Sequence, residues 1–478
     1  MESKNAWEKY SDKELKKVDK FAEEYREFLS ECKTERECVV RFRELAEKQG
    51  YVDLQDIIKE NKKVKAGDKI YAVNKKKGII LFHIGEKPLE KGMNILGAHI
   101  DSPRIDLKQI PLYEDNGLAL FDTHYYGGIK KYQWVTTPLA LHGVVALRDG
   151  SVVELIIGEK EDEPVVGISD LLIHLAAEQM EKKANKVIEG EALDILVGSR
   201  PLAGTKEDKE DKDEKESEGK DGKAAKEKVK ANILHILKEK YGIEEEDFIS
   251  AEIEAVPAGK ARNYGIDESM IIGYGHDDRV CAYPSYAALA ETKKLRKTGV
   301  CILVDKEEIG SVGATGMHSK FFENTVAEIM DRMGDYSELK LRRALYNSKM
   351  LSSDVTSAFD PNYASVSEKK NSEYFGHGMV LMKYTGSRGK SGSNDASAEF
   401  IAELRGMMDE NDVSYQTSEL GKVDQGGGGT IAYILANYGM DVIDCGIAVQ
   451  NMHAPYEVIS KADLYETKCG YKVFLENA

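Results

Sequence analysis

Two adjacent carboxylates, Glu307 and Glu308, follow the apolar run Ile302-Leu303-Val304 and precede the turn Gly310-Ser311-Val312-Gly313. An apolar run that ends in acids and glycines predicts a buried strand delivering both carboxylates to the mouth of a sheet. Neighbouring carboxylates repel, and in a partly buried place one keeps its proton unless a cation sits between them. The economical cation is a metal ion, with one glutamate as ligand and the other as general base toward water. Taken alone, the pair also reads as a solvated acidic turn.

Other groups could complete such a site. The apolar strand over 93–98 runs into Gly97-Ala98-His99-Ile100-Asp101-Ser102-Pro103. Side chains two apart on a strand face the same way, so His99 and Asp101 can touch one object. A ligating histidine needs its second nitrogen held, and Asp101 suits that role. Asp277, in Gly275-His276-Asp277-Asp278-Arg279-Val280, falls between a strand and a helix and offers a carboxylate able to bridge two metals. Asp354 ends Leu351-Ser352-Ser353, and His453 follows Val449-Gln450-Asn451-Met452. Each has an ordinary alternative: a strand-end histidine at 99, a helix N-cap at 277, a turn former at 354, a core histidine at 453. Together they offer nitrogen and oxygen ligands without thiolate, which suits a hydrolytic zinc, cobalt or manganese site, often with two ions. The run Gly426-Gly427-Gly428-Gly429-Thr430 lacks the lysine of a P-loop and the spacing of a dinucleotide fingerprint, and reads as close backbone packing beside the site.

The elements that must position these groups follow from pattern. A chain of 478 residues with 41% hydrophobic content supports two or three domains. A net charge of −17 argues against nucleic-acid or anionic-membrane partners. The start has no apolar signal core and no apolar span approaches membrane length, so a cytoplasmic protein is expected. Its six scattered cysteines read as reduced. Helical spacing predicts a helix over 12–32, and Thr34 with Glu37 forms a capping box ahead of a second helix ending near Gly50. A hairpin is expected over 69–83. Strands are expected over 134–139, 143–147 and 151–157, then a helix starting at Ser169 and carrying Leu171, Leu172, Ile173, His174, Leu175 and Met180. Residues 204–228, nearly all Lys, Glu, Asp and Gly, cannot bury anything and read as a mobile insertion before a helix over 229–241. From 248 onward strands and helices alternate, with single strands expected over 299–304 and 441–449. That predicts an α/β sandwich around a largely parallel mixed sheet flanked by helices, with ligands at the carboxyl ends of its strands. The domains expected are 1–109 with 257–478, interrupted by an inserted domain over 110–256.

The order and context of Gly97-Ala98-His99-Ile100-Asp101-Ser102-Pro103, Ile173-His174-Leu175, the Asp277 turn, Glu307-Glu308-Ile309-Gly310-Ser311, Ser353-Asp354 and Met452-His453-Ala454 closely resemble the aspartyl aminopeptidase family of dinuclear zinc metallopeptidases, in its bacterial branch. The resemblance runs over nearly the whole chain. It implies a metallopeptidase sandwich, an inserted β-rich dimerisation domain, and a homo-oligomer: a tetrahedral dodecamer built from dimers around a chamber. It implies two divalent ions per subunit, zinc first, with cobalt or manganese as alternatives. His99 and Asp354 would hold one ion, Glu308 and His453 the other, and Asp277 would bridge. Glu307 would be the general base and Asp101 the orienting carboxylate. His174 would reach a neighbouring subunit's site to contact substrate; a metal ligand or a packed core histidine are its alternatives. Lys383 would contact substrate, a surface lysine being the alternative, and Lys383 or Arg388 would meet an acidic substrate side chain. Asp278 stands where the family commonly has asparagine, and Thr385–Gly392 departs from its usual stretch. The implied activity is release of N-terminal residues, Asp or Glu preferred, from peptides in the cytoplasm. The alternatives are another metal-dependent amide hydrolase, such as a deacylase or carboxypeptidase, and a non-catalytic shell-forming relative.

Overall fold

The computed structural model describes residues 4–203, 227–387 and 389–478. The charged segment expected over 204–228 lies outside the described residues except at its end, and so does Arg388. The chain forms two compact units, one made of everything up to Ser102 together with Lys260–Ala478, the other of Pro103–Gly259.

The first unit is built on a nine-stranded mixed sheet. At its centre Thr298–Val304, Met93–His99, Lys349–Ser353 and Asp441–Gly446 run parallel to their neighbours in that order. Gly78–His83 and Met379–Met382 flank them antiparallel. The central strands are buried along nearly their whole length because both faces are covered, and alternate residues serve opposite cores. Leu96, Cys301 and Leu303 pack with Phe28, Phe42, Leu289 and Tyr471 of helices Asp12–Glu31, Glu35–Lys48, His276–Glu291 and Lys461–Asn477. Ile95, Val300 and Ile302 pack with Phe322, Ile329 and Leu345 of helices Phe321–Arg332 and Glu338–Tyr346. Each such fully buried side chain stabilises the unit by about 1.5–3 kcal/mol. The Thr34 capping box forms: the Thr34 hydroxyl accepts from the Glu37 N–H at 3.2 Å while the Glu37 carboxylate accepts from the Thr34 N–H at 2.9 Å.

A five-stranded sheet, in the order Arg262–Tyr264, Met270–Gly273, Glu457–Ser460, Ala448–Gln450, Thr356–Ser357, belongs to the same unit. The single strand expected over 441–449 is therefore two. It stops at Gly446 and resumes at Ala448 in the other sheet. A Cβ at Gly446 would lie 1.8 Å from the Asp354 carbonyl oxygen, so the change of sheet runs through a place only glycine fits.

The second unit is a six-stranded antiparallel sheet in the order Val152–Ile157, Leu139–Ala146, Ala251–Pro257, Arg104–Asp115, Leu118–Tyr126, Ile195–Gly198, with the helix Lys228–Tyr241. The boundary expected after 109 falls inside Arg104–Asp115. No strand forms over 134–138; the chain enters the sheet only after Pro138, which has no N–H for a ladder, and Trp134 is buried from a turn. The helix expected from Ser169 also fails, leaving a 3-10 turn Ile173–Leu175 and one turn Ala177–Met180. Consecutive Leu171, Leu172 and Ile173 cannot share one helical face, and they lie 56–62% exposed. Among the described residues, no helix is long and apolar enough to cross a membrane.

Candidate metal centre

Register explains how distant residues meet. Val304 pairs with His99, and Ser352 with Gly97, so His99, the Glu307-Glu308 turn and Asp354 all leave the carboxyl ends of three adjacent parallel strands. In the second sheet Gly273 pairs antiparallel with Glu457. Asp277 lies four residues after the first and His453 four before the second, so the two emerge side by side. Glu307 and Glu308 open a 3-10 turn, Glu307–Ile309, whose first two amides donate to the Asp101 carboxylate at 3.2 and 3.3 Å. Asp101 also lies 3.3 Å from His99 Nδ1, while its carbonyl oxygen is 3.0 Å from the same nitrogen. That leaves Nε2 facing the site.

Around Nε2 of His99 stand Asp277 Oδ1 at 3.2 Å, Asp354 Oδ1 at 3.8 Å and Glu307 Oε2 at 4.0 Å. Around Nε2 of His453 stand Asp277 Oδ2 at 3.2 Å and Glu308 Oε2 at 3.6 Å. Two groups able to hold an ion result, His99 with Asp277 and Asp354, and Asp277 with Glu308 and His453; Glu307 and Glu308 also form one with His99. Tetrahedral ligands about 2.0 Å from a zinc ion lie about 3.3 Å apart, close to these separations. Glu308 Oε1 is buried with no hydrogen-bond partner, an orphan that a cation would satisfy. The residues present therefore fit divalent metal. The first group is deep, with the His99 side chain 1% exposed, and the second opens to solvent, with that of His453 35% exposed.

Burial and crowding of carboxylates together favour the protonated forms at this site. Burial, then the nearby Asp354, pushes Glu307 up to about 8, and burial with Asp277 holds Glu308 well above the usual carboxylate range. Burial also raises Asp354. Burial opposes ionisation of Asp277 too, yet contacts with His453 and His99 hold it below the ordinary range. Burial disfavours a charged His99, but Asp101, Asp277 and Asp354 outweigh it and raise its pKa. A bound cation would replace these shared protons.

Glu457 was not legible as part of this site. It is buried at the foot of Glu457–Ser460, one oxygen accepting from the Asp277 N–H at 3.0 Å and the other from the His453 N–H at 2.7 Å. A carboxylate opening an apolar strand four residues after His453 is the one signal that could have found it. Burial, then Asp277, raises it to about 8. Asp278 is fully buried beside the site, its carboxyl held well above the usual range by burial and by Asp354.

His174 and Lys383 belong to none of the potential metal groups found among the described residues. His174 is exposed on the second unit, and a packed core histidine is ruled out by its exposure. Lys383 follows the antiparallel strand Met379–Met382, whose register (Met382 against Asp444) carries it away from the strand ends that bear the ligands. It is half exposed, 4.0 Å from Asp395. The glycine run does pack closely: Gly428 N donates to the Thr385 carbonyl at 3.0 Å, and a Cβ at Gly427, with φ +104°, would lie 2.7 Å from the Gly386 oxygen. The run ends beside the strand of His99, where Ile431 Cδ1 lies 3.5 Å from a Cβ built on Gly97.

Imidazoles and carboxylates without thiolate, gathered where the carboxyl ends of parallel strands in an α/β sheet meet a second sheet, mark the class of metal-dependent hydrolases. The chain belongs to the aminopeptidase I zinc metalloprotease family, M18, whose pattern matches residues 28–475. It is 62% identical over 476 residues to a probable M18 family aminopeptidase 1 of Clostridium acetobutylicum, covering 100% of this chain and 98% of that protein. The crystal structure of an M18 family aminopeptidase from Thermotoga maritima superposes with a TM-score of 0.92 at 43% identity, covering 100% of both chains. That of aminopeptidase I from Clostridium acetobutylicum gives 0.89 at 60% identity, again covering 100% of both. A yeast mApe1 dodecamer shares the fold at 20% identity with a TM-score of 0.74, covering 95% of each chain.

Proposed function

We propose that this M18 metalloaminopeptidase works with two divalent ions, zinc in the first instance, and prefers peptides with N-terminal Asp or Glu. The observation that carries the two-ion reading is Asp277, whose two oxygens each lie 3.2 Å from a different imidazole. His99 and Asp354 would hold one ion, Glu308 and His453 the other, and Asp277 would bridge. When bound, the ions would supply Lewis acidity at the scissile carbonyl and acidify water. The remaining work falls to the chain. Glu307 takes a proton from the attacking water and passes it to the departing amine; its Oε2, 4.0 Å from His99 Nε2, stands at the edge of the group that would hold the deep ion. Asp101 fixes the ring of His99 and, through the amides of 307 and 308, the direction of both glutamates.

Acidic specificity requires a cation at the substrate side chain, and Lys383, half exposed but set away from the ligand-bearing strand ends in its own subunit, is the residue proposed for it. His174, exposed on its 3-10 turn, is read as reaching a neighbouring subunit's site in a tetrahedral dodecamer, with the second unit as dimerisation domain. The likeness to a dodecamer supports that assembly, the proposed substrates are peptides in the cytoplasm, and the net charge of −17 argues against nucleic-acid or anionic-membrane partners.

The test is hydrolysis of Asp-, Glu-, Leu- and Lys-peptides, free and N-acetylated, by protein stripped with chelator and restored with zinc, cobalt or manganese. Metal-dependent release of the first residue from free-amine peptides alone is expected, fastest for Asp and Glu. Cleavage of the acetylated peptides would favour a deacylase or carboxypeptidase. Silence with metal demonstrably bound would favour an idle shell.

A further inference from the structure

Metal sites with one deep and one solvent-facing position need something besides packing to hold the outer ligands. His99 has packing, since its ring is enclosed. His453 is a third exposed and sits in the left-handed backbone region at φ +64°, which side-chain-bearing residues adopt uncommonly. Its N–H donates to Glu457 Oε1 at 2.7 Å. The other oxygen of the same buried carboxylate accepts from the N–H of Asp277 at 3.0 Å, so one side chain grips the backbone of the bridging ligand and of the outer histidine together. Glu457 itself is anchored in the sheet by its pairing with Gly273.

We propose that Glu457 is a positioning residue that makes the outer ion site, by locking the His453 and Asp277 backbones at the separation their side chains need. The inference rests on the two-ion reading above. It distinguishes the two sites: the deep one shares Asp277 but is otherwise held by His99 and Asp354, which Glu457 does not touch in any contact described above, while both the histidine and the carboxylate that the outer one takes from this hinge, His453 and Asp277, lose their fixed backbone once an acceptor is removed. Glu457→Gln is nearly isosteric, but its amide nitrogen cannot accept and turns a donor toward a donor. Glu457→Asp keeps the charge and falls a methylene short of spanning both amides.

The experiment is zinc titration of metal-free protein by calorimetry, with bound metal counted by elemental analysis, for wild type, Glu457→Gln and Glu457→Asp. Two ions are expected for wild type. In both variants the tighter ion should bind within about twofold of wild type and the weaker one about ten- to a hundredfold more weakly, the usual reach of residues that orient ligands. Unchanged affinities for both ions, or both weakened equally, would overturn the inference while leaving the two-ion reading standing. A single ion in wild type would sink both. Should the variants fail to fold, amide hydrogen exchange on metal-free wild type decides. Protection of the Asp277 and His453 amides comparable to strand Glu457–Ser460 is expected, and exchange at the rate of exposed loops overturns the proposal.

Discussion

At the scale of single residues, the site is an arrangement for keeping negative charges together. Five carboxylates and two imidazoles would be unfavourable without counter-charge, and burial first, then neighbouring carboxylates, raises the affinities of Glu307, Glu308 and Asp354 for protons. If Glu307 is the proton carrier and not a ligand, Glu307→Gln should lower kcat by about a thousandfold while zinc stoichiometry stays at the wild-type value. Loss of an ion instead would make Glu307 a ligand. His174→Ala separates its two readings likewise. A substrate contact requires that kcat/KM fall, by about tenfold or more, with metal content unchanged, because His174 belongs to none of the potential metal groups found among the described residues.

At the scale of elements, the decisive feature is where strands stop. Three parallel strands end level with one another, and the chain changes sheet at Gly446, so ligands from both sheets converge. Gly446→Ala tests this. A methyl group 1.8 Å from the Asp354 carbonyl must displace backbone, and that backbone carries a ligand. Stability should drop by about 2 kcal/mol or more, read as a lower Tm, and zinc affinity should drop with it. A tolerated alanine with wild-type metal binding would mean the crossing has slack that the close approach denies.

Across the whole molecule, buried acids make stability depend on pH and metal jointly. Burial raises Glu307 and Glu457 to about 8, and Asp444, Asp463 and Glu373 to about 7. Each binds its proton more tightly folded than unfolded, so its contribution is fully present below the ordinary carboxylate range and is lost as pH rises through 7 and 8. Metal-free protein should therefore melt lower as pH goes from 5.5 to 8.5, by about 5 °C or more by calorimetry. Zinc should flatten the fall, because a cation relieves the two glutamates at the site, but should not abolish it, because Asp463 and Glu373 share no ligand contact with the cluster. A metal-free Tm that rises over this range would contradict the assignment.

The residue types of the centre were legible in the chain because metal hydrolysis needs nitrogen and oxygen donors at strand ends, and apolar runs broken by His99, Glu307 and Asp354 display that demand directly. So were the capping box at Thr34 and the alternation of strands and helices, which depend on local spacing. Glu457 was not legible: its part depends on the pairing of Gly273 with residue 457, a contact that no periodicity encodes. The failed helix after Ser169 and the divided strand at Gly446 have the same cause, since a local apolar pattern does not say what core it will meet. Sequence alone determined which chemistry the chain can carry. The tertiary structure decided which atoms share it, because the two oxygens of Asp277 find different imidazoles only when two sheets bring their ends together.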